Sequence, residues 1–315
     1  MSQILFSVDN LMSSNLLLTG ASGYLGSAIL AEVLPRGTVN VLSLARSRHP
    51  LFRSSSRLSE FDVSTPFPAM CKRIQEFNPF ACIHCAALAS SQACEERPAE
   101  AEASNVGLTK LVIEACRECR VPLCHISTDL VFDGIAKPPP LGGLTESEPV
   151  QPSSVYARSK AAAECLVLEQ CPEAAVVRLA LLYGPEYGLK RGPLGWMKDA
   201  LREGRDLELF EDEYRSPLYV VDAARSVFEC AKRGLSGVYH LGGPERVSRV
   251  HFGEAFLAAF GGNLSQIRRL RRADRPSVPP RPKDVSLNSS KICRELGVSL
   301  SGVREGLEAA AVSTK

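Results

Sequence analysis

The feature that most constrains the fold is a regular alternation of short apolar and amphipathic segments between residues 15 and 184. Apolar runs such as NLLLTG (15–20) have the length and composition of strands. The segments between them, such as YLGSAILAEVL (24–34), carry apolar residues at the three- and four-residue spacing of helices. The run PFACIHCAAL (79–88) is almost entirely apolar, as expected for a strand covered on both faces. The alternation therefore predicts an α/β fold, a doubly wound parallel sheet with right-handed crossovers.

The same periodicities define the remaining units before residue 184. Ser153 or Ser154 is the predicted N-cap of the last helix, because a hydroxyl there can accept from the first turn. The predicted strands are VNVLSLA (39–45), SRLSEFDV (56–63), VPLCHISTD (121–129) and EAAVVRLALLYG (173–184), and the predicted helices are MCKRIQEF (70–77), AEASNVGLTKLVIEACREC (101–119) and SSVYARSKAAAECLVLEQ (153–170).

Composition narrows the functional classes. The formal net charge is +2 over 315 residues, too small an excess to favour nucleic-acid binding. No run approaches the roughly 18 apolar residues of a membrane span, and the first residues lack the basic and apolar regions of a secretory signal. We therefore expect a cytoplasmic protein without nucleic-acid or membrane partners.

Eleven cysteines raise the question of a metal. Two CxxC pairs, Cys82/Cys85 and Cys116/Cys119, have a spacing found in zinc sites. However, residues three apart on a strand point to opposite faces, and the second pair lies on a predicted helix. We therefore predict reduced thiols that fill the core and no metal, with zinc as the less favoured alternative.

A glycine-rich turn follows the first predicted strand. TGASGYLG places Gly20, Gly23 and Gly26 between a strand and a helix, the context in which such glycines bind a dinucleotide. Glycine permits the sharp turn, close approach of the pyrophosphate and tight packing of helix on strand. At the end of the second strand there is no acid, and Arg46 stands in its place. A basic residue there accommodates a 2′-phosphate, so NADP(H) is favoured over NAD(H).

Tyr156 and Lys160 are one helical turn apart, so their side chains share a face. A nearby positive charge favours the phenolate, and we expect Lys160 together with a bound nicotinamide cation to lower the pKa of Tyr156 towards neutrality. Thr128 ends the predicted fifth strand, where it can hydrogen-bond a substrate carbonyl that Tyr156 protonates. The alternative for the pair is an amphipathic surface contact, because the spacing is common.

These motifs together resemble the extended short-chain dehydrogenase/reductase superfamily. Within it the chain looks most like the dTDP-4-dehydrorhamnose reductase branch, over about residues 15–300. The resemblance rests on TGASGYLG, HCAAL, ACEERPAEAEASNV, HISTDLVFDG, VYARSKAAAE, VRLALLYG, SPLYVVDAA and RPKDVSLNSSK. This chain departs from the branch at two places. After STD it has Leu130 where the branch usually has an aromatic residue, and after the sixth-strand arginine it has Leu179–Leu181 instead of Thr-Ser-Trp.

The resemblance implies a Rossmann-type domain and specific residue roles. Thr128, Tyr156 and Lys160 would be catalytic, Asn105 would support the lysine through water, and Thr128 and Arg215 would face the substrate. The cofactor would meet Gly20, Ser22, Gly23, Tyr24, Leu25, Gly26, Arg46, Asp62, Val63, Ala86, Ala87, Leu88, Tyr156, Lys160 and Leu182. We predict a flexible extension (1–14), a dinucleotide-binding domain (15–184, with 214–243 returning to it) and a substrate-binding lobe (185–213 and 244–315).

The implied activity is NADPH-dependent reduction of a carbonyl, most simply in a 4-keto-6-deoxy sugar linked to a nucleoside diphosphate. The arginines between Arg268 and Arg281 are candidates for its phosphates, or form a solvated basic loop. The alternative is an NADP-binding regulatory protein, since the branch includes the regulatory subunit of methionine adenosyltransferase, with an adenosyltransferase as partner. Epimerisation and reduction of another carbonyl also stay open, as does a homodimer, because superfamily members are often dimers.

Overall fold

The core of the molecule is a seven-stranded parallel sheet, seen in a computed structural model that describes residues 14–45, 51–52, 54–134, 140, 142–189 and 192–313. Residues 1–13 of the predicted extension, and Arg46, lie outside this described part. The strand order is β11-β6-β5-β4-β1-β2-β3. The strands are β1 (Asn15–Thr19), β2 (Asn40–Ala45), β3 (Leu58–Asp62), β4 (Ala81–His84), β5 (Leu123–Thr128), β6 (Ala175–Leu179) and β11 (Gly237–Leu241).

Helices cover both faces of this sheet. On one face Leu16 and Leu18 of β1 pack in a core shared with α1 and α8, whereas Leu17 faces a second core with α2, α5 and α6. Alternate strand residues thus enter opposite layers, which explains why these strands are apolar throughout. The helices of the two layers are α1 (Tyr24–Val33) and α8 (Val220–Lys232) on one face, and α2 (Phe67–Phe77), α5 (Leu108–Cys119) and α6 (Val155–Gln170) on the other.

Two predicted strands are shorter than expected. The segment 173–184 does not form one strand: β6 ends at Leu179, and β7 (Leu182–Tyr183) pairs with β10 (Leu218–Tyr219) outside the central sheet. Likewise β4 ends at His84, so that Cys85 and the alanines after it leave the sheet. The segments after β4 and after β6 both leave the sheet at its carboxyl edge, and they form walls of the cleft described below.

The predicted helix over 101–119 is also interrupted. It consists of α4 (Pro98–Glu102), a π-helical turn over Ala103–Gly107 and α5, with the short α3 (Ser91–Glu96) before it. π-Helical turns inside α-helices are frequent at functional sites. Here the turn contains Asn105, one of the predicted catalytic residues.

The C-terminal part mixes small sheets and helices. The strand β8 (Leu207–Phe210) pairs with β13 (Ile267–Leu270), and β9 (Tyr214–Arg215) pairs with β12 (Val247–Ser248). β11 lies at the edge of the central sheet beside β6, although the division into a domain and a lobe stays a prediction. The remaining helices are α7 (Pro193–Arg202), α9 (Arg249–Phe260), α10 (Ser290–Leu296) and α11 (Val303–Val312).

The described residues contain neither a membrane-spanning helix nor a grouped set of metal ligands. None of the helices in the described ranges combines the length and apolar character needed to cross a bilayer. In the same ranges no three His, Cys, Asp or Glu side chains cluster as a metal site would require. All eleven cysteines are free thiols, and most of them are buried.

Candidate active site

A cleft of about 680 Å³ opens at the carboxyl ends of the central strands. The cleft lies beside β1, which has β4 on one side and β2 on the other. At this position the order of the strands changes direction, and ligands bind at such positions in open parallel sheets. Its lining combines residues from both halves of the chain. The described residues that form it are Gly20, Gly23–Gly26, Cys85, Ala87, Ala89, Ser90, Ile126–Leu130, Tyr156, Lys160, Leu179–Leu182, Gly192, Glu213, Arg215, Arg249 and Arg281.

The glycine turn forms one end of the cleft from backbone alone. Gly20 has φ +69°, and a Cβ there would lie 2.6 Å from the backbone nitrogen of Ala86. A Cβ on Gly26 would overlap the carbonyl oxygen of Gly20, so the helix can approach the turn only without a side chain. The helix α1 starts after Gly23, which offers no side-chain cap. Its amino end therefore faces the cleft, as a pyrophosphate site requires.

Tyr156 and Thr128 meet in the middle of the cleft. Ser154 caps α6 by accepting from the Ala157 amide at 3.0 Å, which places Tyr156 in the first turn of the helix. The phenol is 9% exposed. Burial raises the pKa of Tyr156, and a hydrogen bond with the Thr128 hydroxyl partly counters this effect. The phenol is thus a protonated group at neutral pH in this structure.

Lys160 lines the same cleft as Tyr156 and is 3% exposed. Its ammonium nitrogen donates to the carbonyl oxygen of Ile126 at 2.7 Å and lies 3.3 Å from Nε2 of His125. Burial lowers the pKa of Lys160 to about 8, while Glu164 opposes that shift. In this structure burial dominates and moves the pKa of Tyr156 upward, and the lowering expected from Lys160 with a bound nicotinamide stays a prediction.

Asn105 is buried under the site but makes other contacts than expected. Its side-chain oxygen accepts from the Leu88 amide at 2.7 Å, and its nitrogen donates to Ser159 Oγ at 2.9 Å and to the Leu88 carbonyl at 3.2 Å. These bonds fix the chain after β4 against α6, the helix of Tyr156 and Lys160. The water-mediated link from Asn105 to Lys160 stays a prediction.

The other end of the cleft is strongly charged. Glu213 is 4% exposed and lies among three guanidinium groups, at 3.3 Å from Arg215, 3.7 Å from Arg249 and 3.7 Å from Arg281. Asp129, next to Thr128, is 5% exposed, and burial raises its pKa to about 6 although Arg215 opposes the shift. This end therefore gathers three cations around two carboxyl groups and is suited to an anion.

Most of this charged end was not predicted from the sequence. Arg215 was predicted, and Arg281 was predicted only as part of a basic stretch, because nothing in the local pattern links Arg249 or Arg281 to Glu213. The rest of that stretch is paired elsewhere, since Arg268 and Arg275 contact Glu208 on the surface. The proposed phosphate contact thus reduces to Arg281. Asp129 had a usable signal, its place next to Thr128.

The other predicted cofactor residues are distributed around the cleft. Ala86 contacts the glycine turn through its backbone, and Leu88 is held by Asn105. Asp62 is exposed and accepts from the amide and hydroxyl of Ser64, which lowers its pKa. Ser22, Asp62, Val63, Ala86 and Leu88 are not among the described residues that line the cleft, and their roles stay predictions.

The departures from the resembled branch lie together at the central wall. Leu130 follows Asp129, and Leu179–Leu181 lie where β6 leaves the sheet. Leu130 packs against Tyr156, and Leu179–Leu181 add further aliphatic side chains to the lining of the cleft.

Comparison with known proteins agrees with this geometry. The chain is 33% identical over 281 residues to the dTDP-4-dehydrorhamnose reductase of Mycobacterium tuberculosis, covering 88% of this chain and 86% of that one. It is 28% identical to methionine adenosyltransferase 2 subunit beta of Mus musculus, covering 95% and 88%. A Bacillus anthracis dTDP-4-dehydrorhamnose reductase solved with NADP superposes with a TM-score of 0.80 at 24% identity, covering 96% of this chain and 100% of that one.

The fold and the cleft define the class as the NAD(P)-dependent oxidoreductases of the extended short-chain dehydrogenase/reductase type. The protein-family model described as "RmlD substrate binding domain" matches residues 14–314 of this chain. The chain therefore belongs to the RmlD substrate-binding domain family.

Proposed function

We propose that this protein is an NADPH-dependent reductase of a nucleoside-diphosphate 4-keto-6-deoxy sugar. One observation carries the proposal: Thr128, Tyr156 and Lys160 line the same cleft as the glycine turn. A proton donor, a hydroxyl that contacts it and a buried cation thus lie beside a dinucleotide-binding surface. This is the arrangement that carbonyl reduction needs, because hydride and proton must reach neighbouring atoms.

The cleft fits a dinucleotide by the shape of its backbone. At Gly20 and Gly26 any side chain would collide with the backbone, so the turn is built for close approach. The amino end of α1 supplies a partial positive charge for a pyrophosphate. The preference for NADP rests on Arg46 in the sequence, which lies outside the described residues, and on the NADP in the Bacillus anthracis relative.

The residues of this chain supply the proton and hold the carbonyl. When bound, a reduced nicotinamide supplies the hydride for the carbonyl carbon. Tyr156 then donates its proton to the oxygen, and Thr128 orients that oxygen by a hydrogen bond. The raised pKa keeps the phenol protonated at neutral pH, so Tyr156 enters the reaction in the form that can donate a proton. Lys160 adds a cation beneath the reacting groups and lowers the cost of that charge.

The charged end supports an anionic substrate. Arg215, Arg249 and Arg281 surround Glu213, and Oε2 of Glu213 has no hydrogen-bond partner among the described residues. Arginines bind diphosphates well because their planar donors match the oxygens in pairs. The relative in Mycobacterium tuberculosis is named for a dTDP-linked sugar, which agrees with a diphosphate at this end.

The test is NADPH oxidation by the full chain with dTDP-4-dehydrorhamnose, compared between wild type and Tyr156→Phe. We expect turnover by the wild type and a fall in kcat of about a thousandfold in the variant, since positioned proton transfer contributes about 10²–10⁴-fold. NADPH affinity should change little. Tyr239→Phe, on the outer strand β11, is the matched control and should keep full activity. No turnover of any keto-sugar nucleotide would overturn the proposal.

A second candidate is a regulatory role with a methionine adenosyltransferase. Two observations favour it. Similarity to subunit beta extends over 88% of that protein. Near the reaction centre, Leu130 stands where the resembled branch has an aromatic residue, and Leu179–Leu181 stand where it has Thr-Ser-Trp. Co-purification of a stoichiometric adenosyltransferase with the full chain, together with absence of turnover, would support this candidate over the reductase.

A further inference from the structure

Two buried histidines lie beneath Lys160 and have no part in the reaction described above. His84 ends β4 and His125 lies opposite it on β5, with their ring centroids 5.2 Å apart. They are 1% and 0% exposed. Burial together with the charge of Lys160 lowers the pKa of both rings, to about 3 for His84, so both are neutral at physiological pH.

His84 is held at both ring nitrogens. Its Nδ1 lies 2.6 Å from Thr19 Oγ1 on β1, and its Nε2 lies 3.0 Å from Thr109 Oγ1 on α5. The Thr109 hydroxyl in turn donates to the carbonyl oxygen of Asn105 at 2.6 Å. This ring is therefore a fully bonded core histidine, which ties three elements together and has no nitrogen left for Lys160.

His125 differs in that its Nε2 faces the ammonium nitrogen of Lys160 at 3.3 Å. The same ammonium donates to the carbonyl of Ile126, the next residue of β5, at 2.7 Å. A neutral ring beside a protonated lysine accepts at Nε2, which places the ring proton on Nδ1. Nδ1 has no hydrogen-bond partner among the described residues. Among the described residues, the His125 ring therefore makes its hydrogen bond through Nε2, with Lys160.

We propose that His125 is a positioning residue that accepts a hydrogen bond from the Lys160 ammonium, holding it charged and aimed at the cleft. An ammonium group has three N–H bonds. Two of them are directed to consecutive residues of β5, so the third points away from the strand. The strand that ends in Thr128 therefore also sets the direction of the lysine, and one element orients both groups around Tyr156.

The charged and titratable groups around Lys160 come from three sides. Glu164 on the same helix and Cys85 after β4 favour its charged form, whereas burial opposes it. His84 and His125 are neutral acceptors or donors on β4 and β5. A hydrogen bond to the charged form raises a pKa. Loss of the His125 acceptor should therefore lower the pKa of Lys160 from its value of about 8.

The experiment is an NMR titration of the full chain labelled with ¹³C-lysine, with the Lys160 signal assigned from Lys160→Met. We expect His125→Leu to lower the Lys160 pKa by about one unit, the size of one hydrogen bond to a charged group. His125→Gln, which keeps an acceptor near the position of Nε2, should restore the wild-type value. His251→Gln on the exposed face of α9 is the control and should leave it unchanged.

An unchanged Lys160 pKa in His125→Leu, or an equal fall in the Leu and Gln variants, would overturn the proposal. If the Leu variant does not fold, ¹⁵N-histidine spectra of the wild type decide instead. Below pH 8 the His125 signals must show an unprotonated Nε2, and a protonated Nε2 would contradict the assignment. The inference rests on the proposed function for its purpose, but these titrations need no turnover. Failure of the reductase assay is therefore distinguishable from failure here.

Discussion

The two ends of the cleft are built in opposite ways. At the glycine end, consecutive residues of one strand–turn–helix unit shape the surface, and the critical atoms belong to the backbone. At the charged end, Glu213, Arg215, Arg249 and Arg281 come from a small strand, a helix and a loop that lie far apart in the sequence. The first end excludes side chains, while the second consists of them.

The two ends of the cleft are therefore sensitive to different kinds of substitution. A backbone site fails when an atom is added, because the close-packed interior cannot move away from it. A side-chain site fails when a charge is removed, and its fold can survive that loss. Substitutions at the glycine end should therefore act on stability, and substitutions at the charged end on binding or pH dependence.

The largest effect on stability is expected from Gly26→Ala. The added methyl would overlap the Gly20 carbonyl oxygen, which belongs to the backbone and cannot rotate away. We expect the free energy of unfolding in urea to fall by about 3 kcal/mol or more. Gly107→Ala is the matched control, because its Cβ would meet nothing closer than 3.9 Å. Equal stability of the two variants would contradict the backbone account.

Asp129→Asn tests the charged end through pH. Burial raises the folded-state pKa to about 6 from 3.8, so folding binds a proton between these values, and stability is lost as pH rises through about 6. Asparagine cannot ionise and avoids that loss. Relative to wild type, the variant should gain about 2–3 kcal/mol between pH 4 and pH 7.5 in urea unfolding. A difference that does not depend on pH would show that the carboxyl group does not titrate as described.

The smallest effects should distinguish two arginines of the same basic stretch. Arg281 lines the cleft near Glu213, and we expect Arg281→Gln to raise KM for the sugar nucleotide about tenfold, the loss of roughly one exposed charged contact. Arg271 contacts Glu211 on the surface, so Arg271→Gln should leave KM within about twofold. Steady-state NADPH oxidation measures both, and equal effects would remove Arg281 from the substrate site.

Local patterns predicted the sheet and its helices well. The strands β1, β2, β3 and β5 and the helix that begins after Ser154 appear where periodicity and capping place them, because these signals act within one turn or one strand. The wrong predictions are two strand ends, at the points where the chain leaves the sheet. The breaks at His84 and Leu179 follow from tertiary pairing, as when β7 pairs with β10, and apolar composition continues across them.

In the candidate site, too, local features could be predicted from the sequence and tertiary effects could not. Thr128, Tyr156 and Lys160 could be named from sequence, but the direction of the Tyr156 pKa shift could not. Spacing shows that a lysine is near, whereas burial, which dominates here, depends on everything packed around the phenol.

By itself, the sequence determined the parallel α/β sheet, the backbone site at the glycine turn and the identity of the central residues, since strand, turn and cap signals are local. Only the tertiary structure decided which distant charges meet Glu213, that Arg281 is the member of its stretch that lines the cleft, and that His125 lies against Lys160. Those contacts join segments separated by tens of residues, and no local spacing encodes them.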